Sequence, residues 1–248
     1  MASSPLLTEG EAQLTVVIPA WNEAGFLPET LAALDNALSE AGIHAEVIVV
    51  DNASTDDTAA VAAGMGARVI REAERKIARV RNAGAEAAQA PWLLFLDADT
   101  RVSGEHLVAV RAARDQDLAG AGATVALDVP VSGFFALGTR AWNGLSRRFR
   151  VAAGCFILAR ADLHRAIGGF DERLYAGDEI WYSRALRRAG RREGLEFRLL
   201  DTPPVVSSAR KLDWYAPWQH FLVVLTFLLF PWAGRFRRLS WFWYRRPD

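Results

Sequence analysis

Short apolar segments alternate with longer amphipathic ones along the first 100 residues. The short segments are of strand length and apolar at all but at most one position, and they lie at residues 14–19, 46–50, 67–70 and 92–96. Between them, apolar residues recur at helical spacing over about 26–42, 54–64 and 75–90. Strands that are apolar throughout are typical of a parallel sheet covered by helices on both faces. The pattern therefore predicts an α/β fold with a mostly parallel, Rossmann-like central sheet.

The later part of the chain continues this alternation less regularly. The elements predicted there are a helix over 104–114, a strand over 120–129, a helix over 130–150, a strand over 154–159, a helix over 178–189, and short strands over 195–200 and 204–208. The helix over 130–150 carries a stripe of large apolar residues: Phe134, Phe135, Leu137, Trp142, Leu145 and Phe149. Side chains of this kind are mostly buried in folded proteins, so the stripe is predicted to face the core rather than a membrane or an acceptor.

Polar residues follow three of the predicted strands at their carboxyl ends. They are Trp21, Asn22 and Glu23 after the first strand, Asp51 and Asn52 after the second, and Asp97 and Asp99 after the fourth. Ligands of open parallel sheets bind beyond this edge. No G-x-G-x-x-G motif follows the first strand, so a dinucleotide site of the usual kind is not expected.

Asp97 and Asp99 are the most informative of these residues. A buried strand has no use for two unpaired carboxylates, because burying them without partners is costly. Mg²⁺ and Mn²⁺, by contrast, bind hard oxygen ligands, often one or two carboxylates together with substrate phosphates. The alternative is that the two residues only end the strand and cap the next helix. Together with the other polar strand ends, they favour a divalent-cation site.

Six short motifs resemble, in order and spacing, those of the family 2 glycosyltransferases with the GT-A fold. They are Val17–Glu23 (VIPAWNE), Val50–Ser54 (VDNAS), Arg81–Gly84 (RNAG), Phe95–Thr100 (FLDADT), Gly168–Glu172 (GGFDE) and Asp178–Glu179. They extend over residues 14 to about 192. The resemblance implies a nucleotide-sugar donor and transfer of its sugar.

The resemblance also implies roles for individual residues at the donor site. Ala20 and Trp21 would border the base, with Glu23 close by, Asp51 would bond the uracil of a UDP-sugar, and Arg81 would approach the nucleotide. The set of expected binding residues also includes Pro19, Asn52, Asp97, Ala98, Asp99, Gly154 and Arg210.

Two of these roles have plain alternatives. Asp51 could bond only the local backbone at its strand end, and Arg81 could be an exposed helix charge. Ser54, with Asp57 three residues later, is expected to cap a helix rather than to bind a ligand.

By the same resemblance, a divalent cation would join the two aspartates to the donor diphosphate. Two carboxylates and a diphosphate repel one another unless a cation such as Mg²⁺ or Mn²⁺ lies between them. Asp99 is expected to contact the metal directly, and Asp97 to bind the metal or the ribose.

The acceptor hydroxyl needs a base that removes its proton. Family 2 enzymes usually place this base in a Glu-Asp pair at the start of a helix, whereas this chain has the reversed order Asp178-Glu179. Its position favours Glu179, with Asp178 as the alternative base or as its support. Asp178 could instead act as an N-cap, since acidic residues suit the first turn of a helix. A single displacement with one base predicts inversion at the anomeric carbon.

Composition limits the location and the partners. The 29 acidic and 29 basic residues balance, so no overall field attracts nucleic acid. Cys155 is the only cysteine, which excludes an intrachain disulfide and a cysteine-based zinc site. Residues 1–10 lack the basic and apolar regions of a signal peptide. These features predict a cytoplasmic protein.

The last 40 residues, 209–248, are basic and aromatic, with seven Arg or Lys against two Asp and five of the nine tryptophans. Their longest apolar run, 221–232 with one interruption at Thr226, is shorter than the ~20 residues that span a bilayer. An apolar body with aromatic and arginine flanks favours a helix in the membrane interface, at the inner face of the cell membrane. The alternative is packing on the domain or on a second subunit of a homodimer. His220 is expected to be structural rather than a metal ligand.

The predicted organisation is a GT-A domain over 1–212, with a nucleotide-binding half over about 12–100 and an acceptor half over about 101–212, followed by the extension 213–248. The expected activity is inverting, metal-dependent sugar transfer to a hydroxyl, on a lipid-linked or cell-envelope acceptor. One alternative is a sugar-phosphate nucleotidyltransferase, which typically has a glycine-rich basic loop where this chain has Ala20–Glu23. The reversed acidic pair also leaves open an inactive, membrane-associated nucleotide-sugar-binding protein.

Overall fold

The computed structural model describes residues 12–230 and 232–245. Two sequence predictions concern residues outside these ranges: the absence of a signal peptide over 1–10 and the charges of the last three residues.

Ten strands and ten α-helices form the described part of the chain. The strands are β1 (Leu14–Ala20), β2 (Ala45–Asp51), β3 (Arg68–Arg71), β4 (Trp92–Leu96), β5 (Thr100–Arg101), β6 (Leu118–Gly122), β7 (Val125–Leu127), β8 (Phe156–Arg160), β9 (Glu196–Leu199) and β10 (Val205–Ser207). The helices are α1 (Leu27–Ala41), α2 (Thr58–Gly64), α3 (Ile77–Ala87), α4 (Gly104–Arg114), α5 (Gly133–Phe149), α6 (Ala161–Ala166), α7 (Asp178–Arg192), α8 (Arg210–Trp214), α9 (Pro217–Leu229) and α10 (Trp241–Tyr244). A short 3₁₀ helix, Ala233–Arg235, precedes α10.

Seven of the strands form one sheet in the order β3-β2-β1-β4-β8-β6-β9. The first four are parallel, β8 runs antiparallel to both of its neighbours, and β9 pairs parallel to β6. The predicted mostly parallel sheet is therefore confirmed. A second, three-stranded sheet has the order β5-β10-β7.

The sheet is covered on both faces, as its apolar strands predict. Val16 and Ile18 of β1 belong to the hydrophobic core that includes Leu34 of α1. Val17, between them, belongs to the core on the opposite face, which includes Tyr182 of α7. Since side chains alternate along a strand, a strand buried on both faces needs apolar residues at every position.

The single strand predicted over 120–129 is wrong, because two strands occupy this segment. β6 ends at Gly122 after pairing with β8 and β9 in the large sheet. β7 begins at Val125 and pairs with β10 in the small sheet. The intervening residues Ala123 and Thr124 are buried, so the apolar pattern continues through the break between the two sheets.

The predicted helix cap at Ser54 is also wrong. The Ser54 hydroxyl accepts a hydrogen bond from the backbone N–H of Asn22 at 2.9 Å, and α2 begins only at Thr58. The N-cap position falls on Asp57, which makes no side-chain cap hydrogen bond, while Oδ1 of the preceding Asp56 accepts the N–H of Thr58 at 3.0 Å. Ser54 instead joins the loop after β1 to the loop after β2.

The apolar stripe of α5 is only partly in the core. Trp142 packs against the core, as predicted. Phe134, Leu137, Leu145 and Phe149 are instead 45%, 66%, 51% and 51% exposed. The prediction was wrong for these four because α5 lies on the surface and carries apolar residues on its outer side as well as its inner side.

The C-terminal segment folds back onto the domain. Tyr175 donates its backbone N–H to the carbonyl of Gly234 at 2.6 Å, and the Tyr244 hydroxyl accepts the N–H of Ile77 at 3.5 Å. The proposed boundary between 212 and 213 falls inside α8. No helix in the described ranges is long and apolar enough to span a bilayer.

Candidate active site

A cavity of about 310 Å³ opens where β1 and β4 end, and it collects nearly all of the predicted site residues. Those that line it are Pro19, Ala20, Trp21, Glu23, Asn52, Arg81, Asp97, Ala98, Asp99, Gly154, Asp178, Glu179 and Arg210. The position of this cavity could therefore be predicted from the sequence, because the polar residues that line it follow the carboxyl ends of parallel strands.

Asp51 is the one predicted binding residue that does not line this cavity. Its side chain is buried, and its Oδ1 accepts the backbone N–H of Ser54 at 3.1 Å. This is the local-backbone arrangement that the sequence left as the alternative. The neighbouring Asn52 does line the cavity, and its Nδ2 donates to the carbonyls of Glu72 and Glu74 at 2.8 and 2.9 Å.

Arg81 lies at the centre of the polar network. It projects from α3, is 3% exposed, and so is not the exposed helix charge of the alternative interpretation. Nη1 donates to Oδ2 of Asp178 at 2.8 Å, while Nη2 donates to the Gly154 carbonyl at 2.8 Å and to Oδ1 of Asp97 at 3.2 Å. Burial by itself would lower the pKa of Arg81, but the surrounding carboxylates raise it above its usual value. Arg81 is therefore a permanent cation that holds two acidic elements together.

Asp178 and Glu179 differ in their surroundings. Gly177, with a φ of 72°, precedes α7, and the Asp178 side chain bonds Arg81 rather than capping the helix. Asp178 is 2% exposed, whereas Glu179 is half-buried against the cavity. Removal from water and then the charge of Asp178 raise the pKa of Glu179 to about 7. A carboxylate with such a pKa can take up a proton near neutral pH.

Asp97 and Asp99 point into the same cavity, each beside an arginine. Oδ1 of Asp97 lies 3.2 Å from Nη2 of Arg81, and Oδ2 of Asp99 lies 2.9 Å from Nη2 of Arg210. Burial raises the pKa of Asp97 to about 6, against the lowering effect of Arg81. Asp97 and Asp99 thus form a compact anionic group next to the cationic side chains of Arg81 and Arg210.

These two carboxylates fit a divalent cation only in part. Among the described residues, no group of three or more His, Cys, Asp or Glu side chains is placed to hold a metal ion. Mg²⁺ and Mn²⁺ commonly take one or two carboxylates and fill the other positions with water and substrate phosphate. Asp97 and Asp99 suit that mode, in which the phosphates complete the metal site.

Arg210 joins the C-terminal segment to the loop after β1. Its Nη1 and Nη2 donate to the two carboxylate oxygens of Glu23 at 2.6 and 2.7 Å. Paired hydrogen bonds of this kind fix the guanidinium plane. The next residue, Lys211, also lines the cavity, and burial lowers its pKa.

Several cavity residues were not predicted from the sequence. The Arg75 guanidinium lies 3.3 Å from the ring centroid of Trp21, on a face where a base was expected. Tyr175, Trp243, Tyr244 and Arg245 also line the cavity. The aromatic and basic composition of the tail was the available signal for the last three, but it does not show that the tail returns to the site. His220, as expected, packs among aromatic rings, including that of Phe135 at 5.0 Å.

Comparison with known proteins identifies the class. The family described as glycosyl transferase family 2 matches residues 15–170, more than half of the chain. The chain belongs to glycosyl transferase family 2.

Two relatives align with short segments of the chain, and their names are compatible with this family. An uncharacterized glycosyltransferase of Mycobacterium tuberculosis is 45% identical over 86 residues, which cover 35% of this chain and 36% of that protein. The succinoglycan biosynthesis protein ExoO of Rhizobium meliloti is 33% identical over 119 residues, 46% of this chain and 32% of that protein. The matches thus span about a third of the length of these relatives.

Two solved structures share this fold at low sequence identity. TarS of S. aureus in complex with UDP-GlcNAc is 20% identical with a TM-score of 0.60, covering 80% of this chain and 59% of that chain. The mannosyltransferase PcManGT of Pyrobaculum calidifontis, in complex with GDP-Man and Mn²⁺, is 19% identical with a TM-score of 0.65, covering 96% of this chain and 66% of that chain. The fold is the predicted GT-A fold.

Proposed function

We propose that this glycosyltransferase moves a sugar from a nucleotide-diphosphate donor, a UDP-sugar, to a hydroxyl acceptor with inversion at the anomeric carbon. One observation carries the proposal: Glu179, whose pKa is raised to about 7, faces the same cavity as Asp97 and Asp99. A base and an anionic group for the donor are therefore together in one site.

Asp99 would bind a divalent cation directly, and Asp97 would bind the cation or the ribose. When bound, Mg²⁺ or Mn²⁺ would neutralise the charge on the departing nucleoside diphosphate. Pro19, Ala20, Trp21 and Asn52 would border the nucleotide. Arg210, which already bonds Asp99, supplies a cation near the expected diphosphate.

Glu179 would act as the general base. Its carboxylate takes the proton of the acceptor hydroxyl while the acceptor oxygen bonds to the anomeric carbon. The bond between that carbon and the diphosphate oxygen breaks, and the bonding electrons leave with the nucleoside diphosphate. The ion pair of Asp178 with Arg81 holds the start of α7, so that Glu179 faces the cavity.

The acceptor is proposed to be a lipid-linked or cell-envelope glycan hydroxyl, and the protein to work in the cytoplasm at the inner face of the cell membrane. Residues 213–248 would make the peripheral membrane contact. Packing of this segment in a homodimer is the competing arrangement.

A panel of nucleotide sugars incubated with Mn²⁺ and candidate acceptors tests the reaction. A glycosyltransferase releases nucleoside diphosphate from one donor, and transfer to the acceptor inverts the anomeric configuration. Release of pyrophosphate from a nucleoside triphosphate and a sugar phosphate would instead indicate nucleotidyl transfer. Donor binding without release, by wild type and by Glu179→Gln alike, would indicate an inactive binding protein. Both outcomes contradict the proposal.

A further inference from the structure

Helices α5 and α9 meet at their first turns, and the exposed sides of the two helices are called here the α5–α9 face. The rings of Phe134 in α5 and Phe221 in α9 are 6.4 Å apart, and those of Phe135 and His220 are 5.0 Å apart. The two helices are far apart in the sequence, so the face exists only in the folded chain.

A stripe of apolar residues runs along the outer side of α5. It consists of exposed residues that recur at helical spacing: Phe134, Leu137, Gly138, Ala141, Leu145 and Phe149. This spacing places them on one side of a helix. The inner side, which includes Trp142, already packs on the core. An amphipathic helix needs only one apolar side, so the second indicates a partner outside this chain.

Helix α9 is apolar around most of its circumference. Residues 217–230 include no charged residue. Trp218 is 65% exposed and Leu229 is 61% exposed, and Trp232, just after the helix, is 57% exposed. A helix that is apolar on all sides is normally buried in protein or in lipid.

The charged residues within the two segments that form this face are all basic. Residues 129–150 contain four arginines and no acidic residue. Residues 214–245 contain another four arginines and no acidic residue. Arg147 and Arg148 in α5 and Arg237 and Arg238 after α9 are exposed. The partner of this face should therefore offer an apolar region to the two helices and negative charge to the arginines beside them.

We propose that the α5–α9 face docks on the surface of an anionic phospholipid bilayer. Apolar and aromatic side chains would enter the boundary of headgroups and acyl chains, and the arginines would meet the lipid phosphates. A second copy of the chain fits less well. A two-fold interface places the same patch on both sides, so the exposed arginines of these two segments would approach one another, and the segments contain no carboxylate to pair with them.

Docking by this face would bring the cavity to the bilayer surface. Trp243 lines the cavity, and its ring lies 5.4 Å from the ring of Phe227 in α9. This consequence rests on the proposed function, since it presents the site to a lipid-linked acceptor. The docking itself does not depend on any activity.

Co-sedimentation of the full 248-residue chain with vesicles tests the proposal. Wild type should bind vesicles with about 30 mol % anionic lipid and bind purely zwitterionic vesicles much less. The α5 variant Phe134→Ser/Leu137→Gln/Leu145→Gln and the charge variant Arg147→Glu/Arg148→Glu should each lower binding by about tenfold or more. Both leave the tail intact, so they test α5 separately from residues 213–248.

Matched variants outside the face serve as controls. Val108→Gln/Trp181→Gln removes two exposed apolar side chains of α4 and α7, and Arg71→Glu/Arg165→Glu reverses two exposed charges on β3 and α6. Both should bind as wild type does. Circular dichroism and thermal unfolding establish that each variant is folded.

Equal vesicle binding by wild type and the two folded α5 variants would overturn the proposal. So would a wild-type dimer in sedimentation velocity that the α5 variants dissociate, in the absence of vesicle binding. Donor turnover, measured without vesicles, separates this result from the proposed function, because either can fail while the other holds.

Discussion

Nη1 of Arg81 lies 2.8 Å from Oδ2 of Asp178, and both side chains are almost fully buried. The ion pair ties α3 to the first residue of α7. It also explains how a site with the reversed order Asp178-Glu179 can keep a carboxylate facing the cavity. The first acid of the pair is held by an arginine, and the second, half-buried, faces the cavity.

Asp178→Asn should destabilise the fold by about 3 kcal/mol, because it leaves a buried cation with fewer partners. Asp97 and the Gly154 carbonyl still bond Arg81, which keeps the loss at the low end for a broken buried pair. Urea unfolding measures the change in free energy. Asp162→Asn is the control, since its pair with Arg160 lies at the surface and its loss should be much smaller. Equal losses for both variants would contradict this role of Asp178.

Glu179→Gln should lower transfer by about 10²–10⁴-fold, the usual contribution of a general base. Its fold should be as stable as wild type or more stable near pH 8, because the raised pKa means that the fold disfavours the ionised carboxylate. Donor binding, measured by calorimetry, should be retained. A variant that transfers sugar normally would exclude Glu179 as the base.

The rate should depend on pH through Glu179. As a base it must be ionised, so kcat/KM should fall as the pH decreases through about 7, the raised pKa of this carboxyl. Stability should move in the opposite direction. Between the unfolded pKa of 4.5 and the folded value, the folded state binds more proton, so ionisation makes unfolding easier as pH rises. Initial rates give the pH dependence of kcat/KM, and urea unfolding gives that of the free energy of unfolding. In Glu179→Gln, both should lose the change that centres on the ionisation of Glu179.

Much of the fold could be predicted because each strand can be recognised from its own short stretch of sequence. Apart from Thr15, Glu46 and the terminal Asp51, strands β1, β2 and β4 consist of apolar residues, and polar residues begin at or just after the end of each strand. The break between β6 and β7 could not be predicted, since buried Ala123 and Thr124 continue the apolar pattern across it. Which sheet each strand joins is decided by a partner that is distant in the sequence: β8 for β6, and β10 for β7.

The site was predicted where strand ends converge and missed where distant segments meet. The burial of Arg81 depends on contacts with Gly154 and Asp178, which are 73 and 97 positions away in the sequence. The spacing of apolar residues along α3 gives no sign of such distant contacts. The outer side of α5 illustrates a related limit. Periodicity shows that Leu137 and Leu145 share a side with Phe134, but not whether that side meets the core or the surroundings.

Arg210 should contribute to donor binding, since it lies between Glu23 and Asp99. Arg210→Gln removes the cation beside Asp99, and donor affinity should fall by about 10–100-fold, as for a lost charged hydrogen bond. Calorimetry with the nucleoside diphosphate and Mn²⁺ measures the change. Arg173→Gln, at an exposed ion pair with Asp171, should bind as wild type does. Unchanged affinity in Arg210→Gln would remove this arginine from the donor site.

Asp99→Ala should abolish metal-dependent transfer while the protein stays folded. Arg210 would keep both of its hydrogen bonds to Glu23, so the loss of Asp99 leaves no buried cation without a partner. Removal of divalent cations with a chelator should have the same effect on wild type, and Mn²⁺ should restore wild type but not the variant. Asp115→Ala, an exposed acid at the end of α4, is the control and should retain full activity. Metal-dependent transfer by a well-folded Asp99→Ala protein would show that another group holds the cation.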